Sequence, residues 1–251
     1  MTLPRFHVPD LDPSHGTVTL SPEESHHLAR VLRLSGSDPV VVFDGRGRQF
    51  VGRVDRADRH RATVTLVNEL ANAPDHATPI ALVQAILKGD KMDEVVRDAT
   101  MAGASRIVPI VAERSQVRLS SLRRGRVDER WRRVAIASAK QSGQSRLPEI
   151  DPPRSFESWL DTPMPGIRLL LVEPGGADSG AATLQTVLAG ARPEVVSCVI
   201  GPEGGWSGEE RERAVAAGCR AVTLGPMTLR ADAAGLVALS VVSYALTCQP
   251  G

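Results

Sequence analysis

In the last third of the chain, three glycine- and proline-rich stretches follow three apolar runs. LLLV leads into Glu173-Pro174-Gly175-Gly176, VVSCVI into Gly201-Pro202-Glu203-Gly204-Gly205-Trp206, and AVTL into Gly225-Pro226-Met227-Thr228-Leu229-Arg230-Ala231-Asp232. Glycine removes the Cβ obstacle, so loops of this composition let the backbone itself approach a ligand closely. Ordinary strand-to-helix turns share that composition, and one such loop says little. IGPEGGWS followed some twenty residues later by LGPMTLRAD is a far more specific pair. Whatever these loops do, they do without histidine, because all six histidines lie in the first 76 residues. That argues against serine-hydrolase and most metal-hydrolase schemes. Nucleotide-phosphate motifs are missing as well. Gly45-Arg46-Gly47 has Phe50 where a dinucleotide fingerprint needs its third glycine, and no Walker lysine, HExxH or GxSxG pattern occurs. Cys198, Cys219 and Cys248 show no CxxC spacing and cannot all pair. A zinc site and a disulfide framework are both poor readings, and a reducing compartment is the better one.

The elements that must position these loops are strands alternating with helices. IALVQAIL is too continuous for a one-sided sheet and suits a strand buried on both faces. Asp90 is placed to cap a helix reaching about residue 102, RIVPIV is the next strand, and a basic helix covers 127–142. LLLVE, VVSCVIG and AVTLG follow, separated by helical segments near 181–189 and 208–217, the latter opened by a Ser207/Glu210 capping box. A final helix begins near Asp232. This alternation implies a mostly parallel sheet covered on both faces, with ligands beyond the carboxyl ends of its strands.

The first seventy residues read differently. RFHV and VTL are extended, and Ser21-Pro22-Glu23-Glu24 is a capping box with proline at the first helical position, opening a helix to about residue 34. VVVF, QFVGRV and ATVTLV then follow at hairpin spacing around an Asp44-Gly45 turn, which predicts a small barrel. The polar stretch 68–79, with two prolines, is the natural boundary.

Charge is unevenly spread behind a net value of +1. Between Arg106 and Arg146 eleven basic residues face three acidic ones, and runs such as Arg123-Arg124-Gly125-Arg126 and Arg130-Trp131-Arg132-Arg133 suit phosphate contacts. A solvated helix face in an arginine-rich chain explains the same runs. The stretch 233–251 carries no charge but is interrupted by Gly235, Ser240, Ser243, Thr247, Gln249 and Pro250, too polar to span a bilayer. With no apolar segment at its start, the chain is expected to be soluble and cytoplasmic.

Taken together, the motifs resemble the RsmE family, bacterial methyltransferases that modify N3 of a uridine in 16S ribosomal RNA. The resemblance rests on Lys88-Gly89-Asp90-Lys91-Met92-Asp93, Ala112-Glu113-Arg114-Ser115, Gln141-Ser142-Gly143, Ile200-Gly201-Pro202-Glu203-Gly204-Gly205 and Leu224-Gly225-Pro226, in the family's order over nearly the whole chain. It implies an α/β fold: a SPOUT-type parallel sheet with a C-terminal trefoil knot over 73–251, preceded by a small PUA-like β-barrel RNA-binding domain over 1–72. Nothing in periodicity points to the knot. The resemblance further implies S-adenosylmethionine as methyl donor and a homodimer formed through the C-terminal domain. The implied partner is 16S ribosomal RNA or the assembled small subunit. Neither a metal nor a membrane is implied.

Carried over residue by residue, the donor site comprises Leu171, Val172 and Glu173, then Ile200, Gly201, Pro202 and Gly205, then Leu224, Gly225, Pro226 and Leu229. A neutral adenosine needs an apolar slot with backbone donors and acceptors, and that agrees with the absence of a phosphate-cradling lysine. RNA contacts fall on Lys88, Lys91, Arg114, Gln141 and Arg146, with Arg5, Arg30, Arg33 and the 123–133 cluster as further candidates. Two positions depart from the family pattern. Leu229-Arg230-Ala231-Asp232-Ala233-Ala234 stands where Leu-Arg-Thr-Glu-Thr-Ala is usual, and Gln144 follows Gln-Ser-Gly where arginine is common. Because N3 of uracil must lose its proton, the reaction needs a proton acceptor or a cation that stabilises the uracil anion. Arg230 is assigned the anion and Glu203 or Asp232 the proton. The alternatives for the carboxylates are a helix cap at Asp232 and a brace for the glycine loop at Glu203. Trp206 suits a stacked base or a core position equally. The last helix, apolar all round, suits packing into a partner subunit or a central core position. Two rival functions remain: a ribosome-binding factor without catalysis, and another α/β enzyme with a nucleotide cofactor.

Overall fold

The computed structural model of the chain describes residues 3–71, 78–122, 127–175 and 181–247. Arg123, Arg124, Arg126, Gly176 and Cys248 lie outside the described residues. The chain forms two compact units, Met1–Asp75 with Ile136–Leu147, and His76–Ala135 with Pro148–Gly251.

The first unit holds β1 (Arg5–His7), β2 (Thr17–Thr19), α1 (Pro22–His26), β3 (Pro39–Phe43), β4 (Gln49–Arg56) and β5 (Thr63–Glu69). Its ladder order is β1-β3-β4-β5-β2, antiparallel except where β1 runs beside β3. Register shifts in the β4–β5 ladder, at Val51/Gly52 and Val54/Arg56, curl the sheet around Phe6, Leu28, Val42 and Val64. The predicted Asp-Gly turn forms as expected. Asp44 Oδ1 accepts the backbone N–H groups of Arg46 and Arg48 at 2.7 and 3.0 Å.

Only half of the predicted capping box at Ser21 is present. Ser21 Oγ accepts the Glu24 N–H at 3.2 Å, but the Glu24 carboxylate turns away to Lys140 Nζ, at 3.0 and 2.7 Å. The ammonium also sits 5.4 Å from the Phe6 ring centroid, and both charged side chains are largely withdrawn from water. The following helix also differs from a plain α-helix to residue 34. Its turns widen to a π-helix over His27–Val31, and Arg33, at φ 54°, ends it with the Leu34 N–H on the Leu28 carbonyl.

The second unit runs β6 (Ile80–Ala85), α2 (Lys91–Met101), β7 (Arg106–Val111), α3 (Leu119–Leu122) and α4 (Val127–Ser142), the last shared with the first unit from Ile136 on. Then come β8 (Glu149–Ile150), β9 (Arg154–Ser155), α5 (Phe156–Leu160), β10 (Ile167–Leu171), β11 (Ala182–Thr183) and α6 (Leu184–Leu188). β12 (Val196–Ile200), α7 (Gly208–Ala216), β13 (Arg220–Thr223) and α8 (Ala231–Thr247) complete it. Every ladder is parallel, in the order β11-β13-β10-β12-β6-β7-β8, with β9 also beside β7. β6 shows why its sequence is continuously apolar: Ile80 and Leu82 join one core, Val83 and Ala85 the other.

The stretch 149–160, between the basic helix and the LLLV run, supplies two strands and a helix capped by Ser155. At α2 the expected side-chain cap fails. Asp90 stands at the N-cap position, but its carboxylate takes Arg130 Nη2 at 2.6 Å rather than a backbone N–H. α8 packs on β6, β12 and α2, close enough that a Cβ on Gly235 would lie 3.2 Å from Gln84 Oε1. It buries Ala234, Gly235, Ala238, Leu239 and Val242 and leaves Val241 and Tyr244 exposed.

Removing one partner of a buried ion pair strands the other, whereas removing both does not. Lys140→Met is therefore expected to cost the first unit about 3 kcal/mol, with most of the loss recovered in the Glu24→Gln/Lys140→Met double variant. Urea unfolding followed by circular dichroism measures both, and equal losses in the two variants would show that the stranded Glu24 carboxylate is not the source of the cost.

Candidate active site

Strands β13, β10 and β12 are neighbours in the sheet, so the loops leaving their carboxyl ends emerge side by side around a cleft of about 600 Å³. The β10 loop contributes Leu171, Val172 and Glu173, and the β12 loop contributes Ile200, Gly201, Pro202 and Gly205. Leu224 and Leu229 come from the segment between β13 and α8. Gly225 and Pro226 lie on that segment but outside the lining. The three residues expected to do chemistry, Glu203, Arg230 and Asp232, all line the same cleft.

Trp206 is the strut between two of these loops. Its Nε1–H donates to the Leu171 carbonyl at 3.0 Å, and its ring lies against Phe156 with centroids 4.6 Å apart. A Cβ on Gly201 would sit 3.1 Å from the indole, so glycine there is what lets the β12 loop close onto the ring. Trp206 is largely buried among these contacts, as the core reading expects, and what it still exposes lines the cleft. The Ser207/Glu210 capping box is complete, with bonds of 3.1 and 3.2 Å. The other oxygen of Glu210 accepts the Glu113 N–H at 2.8 Å and so anchors the loop carrying Arg114. Arg114 Nη1 in turn donates to the Gly204 carbonyl at 3.1 Å.

The charged groups at the cleft are tied to one another. Glu203 Oε1 accepts both the Lys88 backbone N–H and Lys91 Nζ at 3.3 Å. Arg230 grips Asp232 through two bonds, Nε to Oδ1 at 3.1 Å and Nη2 to Oδ2 at 2.6 Å. The Arg230 guanidinium holds the Asp232 carboxyl below its usual 3.8, and Asp232 raises Arg230 in return. A carboxylate depressed in this way is a weaker proton acceptor. Arg211 and Ala234 also line the cleft and were not anticipated. Arg211 lies four residues after the helix cap Ser207, one helical turn along, and that spacing was the available signal.

Of the expected RNA contacts, Lys91 and Arg114 line the cleft and Lys88 exposes its side chain beside Glu203. The others belong to the first unit. Arg30, Arg33, Gln141 and Arg146 are exposed there, Arg146 bridging to Gly45 and Arg46. Arg5 is 9 % exposed and bonded to Gln49 Oε1 at 2.9 Å and the Gln144 carbonyl at 3.0 Å, over the Phe43 ring. A phosphate contact by Arg5 would break these bonds. Among the described residues no group of three or more His, Cys, Asp or Glu is placed to hold a metal ion, and no helix is long and apolar enough to cross a membrane.

Because its folded-state pKa is lowered, the Asp232 carboxylate stays charged and paired at neutral pH. Its contribution fades only as the pH falls below the ordinary value towards the lowered one. A ¹³C NMR titration should place the Asp232 midpoint below 3.8, and Arg230→Ala should return it to the ordinary range. A midpoint unmoved by that substitution would mean that the ion pair is not formed in solution.

Residues 74–243 match the family model of an RNA methyltransferase domain, and residues 20–67 that of an RNA methyltransferase PUA domain. The chain is 32% identical over 233 residues to the ribosomal RNA small subunit methyltransferase E of Synechocystis, covering 92% of this chain and 74% of the relative. Against the protein of the same name from Mycobacterium tuberculosis, identity is 30% over 242 residues, with 94% and 90% covered. A Legionella pneumophila putative methyltransferase in complex with the bound cofactor SAM superposes with a TM-score of 0.86 at 27% identity, covering 98% of both chains. A ribosomal RNA small subunit methyltransferase E from Neisseria gonorrhoeae, bound to S-adenosyl methionine, gives 0.86 at 28% identity, with 97% of this chain and 98% of that one covered. With the family model spanning more than half of its length and relatives at this identity matched over nearly all of it, the chain belongs to the ribosomal RNA small subunit methyltransferase E family.

Proposed function

We propose that this protein transfers a methyl group from S-adenosylmethionine to N3 of a uridine in 16S ribosomal RNA, acting in the cytoplasm on the small ribosomal subunit. The observation that carries this reading is the convergence of three loops at the carboxyl ends of adjacent parallel strands, around a cleft whose wall includes Arg230, Glu203 and Asp232. Leu171, Ile200, Leu224 and Leu229 supply an apolar slot for a neutral adenosine, and the loops' N–H and C=O groups supply its hydrogen bonds. The donor, when bound, offers a methyl carbon on a positively charged sulfur.

The chain's residues handle the acceptor base. A carboxylate of this chain would take the uracil N3 proton, freeing the N3 lone pair for the methyl carbon that the bound donor would supply, the former carbon–sulfur pair staying on sulfur. Glu203 is favoured as the proton acceptor because Asp232 is spent on Arg230 and is depressed by it. Arg230, 77 % exposed at the side chain, turns from Asp232 to the uracil oxygen as the anion develops, and Asp232 holds it in reserve until then. Lys88, Lys91 and Arg114 position the RNA backbone at the rim.

In this reading the N-terminal unit binds RNA and the second unit transfers the methyl group. A C-terminal trefoil knot is part of the proposal, and what supports it is that β13 lies outside β10 in the sheet while α8 packs on β12 and β6. A homodimer through the second unit is the other part. Val237, Val241 and Tyr244 line up at helical spacing on α8, and Tyr244 and Met227 are 71 and 74 % exposed.

The test is methyl transfer from labelled S-adenosylmethionine to small subunits lacking N3-methyluridine, followed by nucleoside analysis. 3-Methyluridine is expected. Arg230→Ala should lower kcat ~10²–10³-fold and Glu203→Gln ~10²–10⁴-fold, with RNA affinity within about twofold of the wild type. Bound donor and bound RNA with no methyluridine would replace the enzyme with a non-catalytic binder.

A further inference from the structure

In the second unit the chain places an acid where helix α2 should have its cap, and the fold gives that acid other work. Asp90 stands immediately before α2 at φ −86° and ψ 0°. A capping residue sits in the extended region instead, with its side chain accepting an N–H of the first turn. The Asp90 carboxylate goes to Arg130 of α4, whose Nη2 donates to Oδ1 at 2.6 Å. The same guanidinium donates through Nε to Asp93 Oδ2 at 2.7 Å, with Nη2 2.6 Å from that oxygen. One planar fork thus spans two carboxylates at the start of α2, a match of both charge and shape. Trp131, next in the chain, is buried in the core that also holds Met92, Val95 and Val96, so α4 presents Arg130 to α2 from a fixed base.

On either side of Asp90 lie the two groups that brace Glu203. Lys91 is the first residue of α2 and lines the cleft, and Lys88 precedes Asp90 across Gly89, which has φ 70°. Glu203 Oε1 accepts the Lys88 N–H and Lys91 Nζ, each at 3.3 Å. The directions of both donors therefore follow from the backbone angles of the residue that Arg130 holds. An Asp90 released to cap would swing into the extended region to accept the Asp93 N–H, which now bonds to the Asp90 carbonyl at 2.9 Å. That rotation would carry the Lys88 N–H away from Glu203. A local rule broken at one residue, with a distant side chain enforcing the break, is the mark of a constraint set by the site.

We infer that Arg130 is a positioning residue for Glu203: by withholding Asp90 from the helix cap, it keeps the 88–91 turn in the conformation that sets the Lys88 N–H and Lys91 Nζ on the Glu203 carboxylate. Arg130 lies outside the cleft lining and acts through Asp90 and Asp93. The run Arg130-Trp131-Arg132-Arg133, which suits phosphate by composition, is thereby divided, with its first arginine engaged inside the protein. The inference rests on the reading in which Glu203 takes the uracil proton, and it names a residue beyond the cleft on which that step depends.

The chain contains three lysines, Lys88, Lys91 and Lys140, so the full chain labelled with ¹⁵N-lysine gives three backbone amide signals, and Lys88→Arg assigns the first of them. In Arg130→Ala the Lys88 amide proton is expected to move upfield as its bond to Glu203 is lost. Methyl transfer in the same variant should show kcat about tenfold lower, with KM for S-adenosylmethionine and RNA affinity within about twofold of the wild type. Arg130→Lys, which reaches one carboxylate at a time, should stand between, about threefold below the wild type. Arg130→Ala/Asp90→Ala leaves no side chain to cap, so Lys88 should return to its wild-type shift and kcat to within about threefold. A merely structural role predicts the reverse, a double variant worse than the single one. A Lys88 signal unmoved in Arg130→Ala would overturn the inference, as would a double variant no better than the single. An unmoved signal with weaker RNA binding, and a slope of log affinity against log salt reduced by about one, would make Arg130 a phosphate contact and overturn it equally. A wild type without methyl transfer, in which Lys88 still moves in the single variant and returns in the double, would defeat the enzymatic reading alone.

Discussion

A parallel sheet buried on both faces constrains everything else in the second unit. The backbone N–H and C=O groups of its central strands are consumed by ladder partners and their side chains by two cores, so those strands offer backbone to a ligand where they end. Three such ends are adjacent, at β13, β10 and β12, and their loops carry glycine where the chain must approach either a ligand or its own core. The cleft is a consequence of strand order rather than of any single motif.

Holding three loops at one place requires fastenings that the loops lack on their own. Trp206 fastens the β10 loop to the β12 loop through one hydrogen bond and one ring contact, and Gly201 makes room for it. Glu210 fastens the Arg114 loop to α7 with the same carboxylate that completes the helix cap. Glu203 does the same towards α2 by accepting from Lys88 and Lys91. Glu203, on the cleft wall, is thus also a rivet of the site, and its substitution tests the brace together with the role proposed for it. The ion pair of Arg230 and Asp232 is simpler, since both groups belong to the entrance of α8 and hold each other in readiness.

In the first unit, arginine is used in two opposite ways. Arg5 is buried, bonded to Gln49 and Gln144, and acts as a core residue with a charge. Arg59 and Arg61 are exposed, and Asp58 beside them accepts the His60 and Arg61 backbone N–H groups. The amino-acid type alone does not distinguish these cases. What separates them is whether neighbouring segments bring acceptors to the guanidinium, and that depends on strands far apart in the chain.

The sequence by itself determined the alternation of strands and helices, the parallel class of the sheet, the Ser207/Glu210 cap and the loops that line the cleft, because these follow from local periodicity, turn chemistry and glycine placement. It also carried the family through motifs such as Lys88-Gly89-Asp90-Lys91 and Ile200-Gly201-Pro202-Glu203-Gly204-Gly205. Tertiary structure decided the rest. Glu24 left its helix cap for Lys140, Asp90 left its own for Arg130, and Trp206 became a strut. Helix 22–34 widened into a π-turn, and Gly225 and Pro226 fell outside the lining. The changes at Glu24, Asp90 and Trp206 turn on partners distant in sequence, which local periodicity and turn chemistry do not reveal.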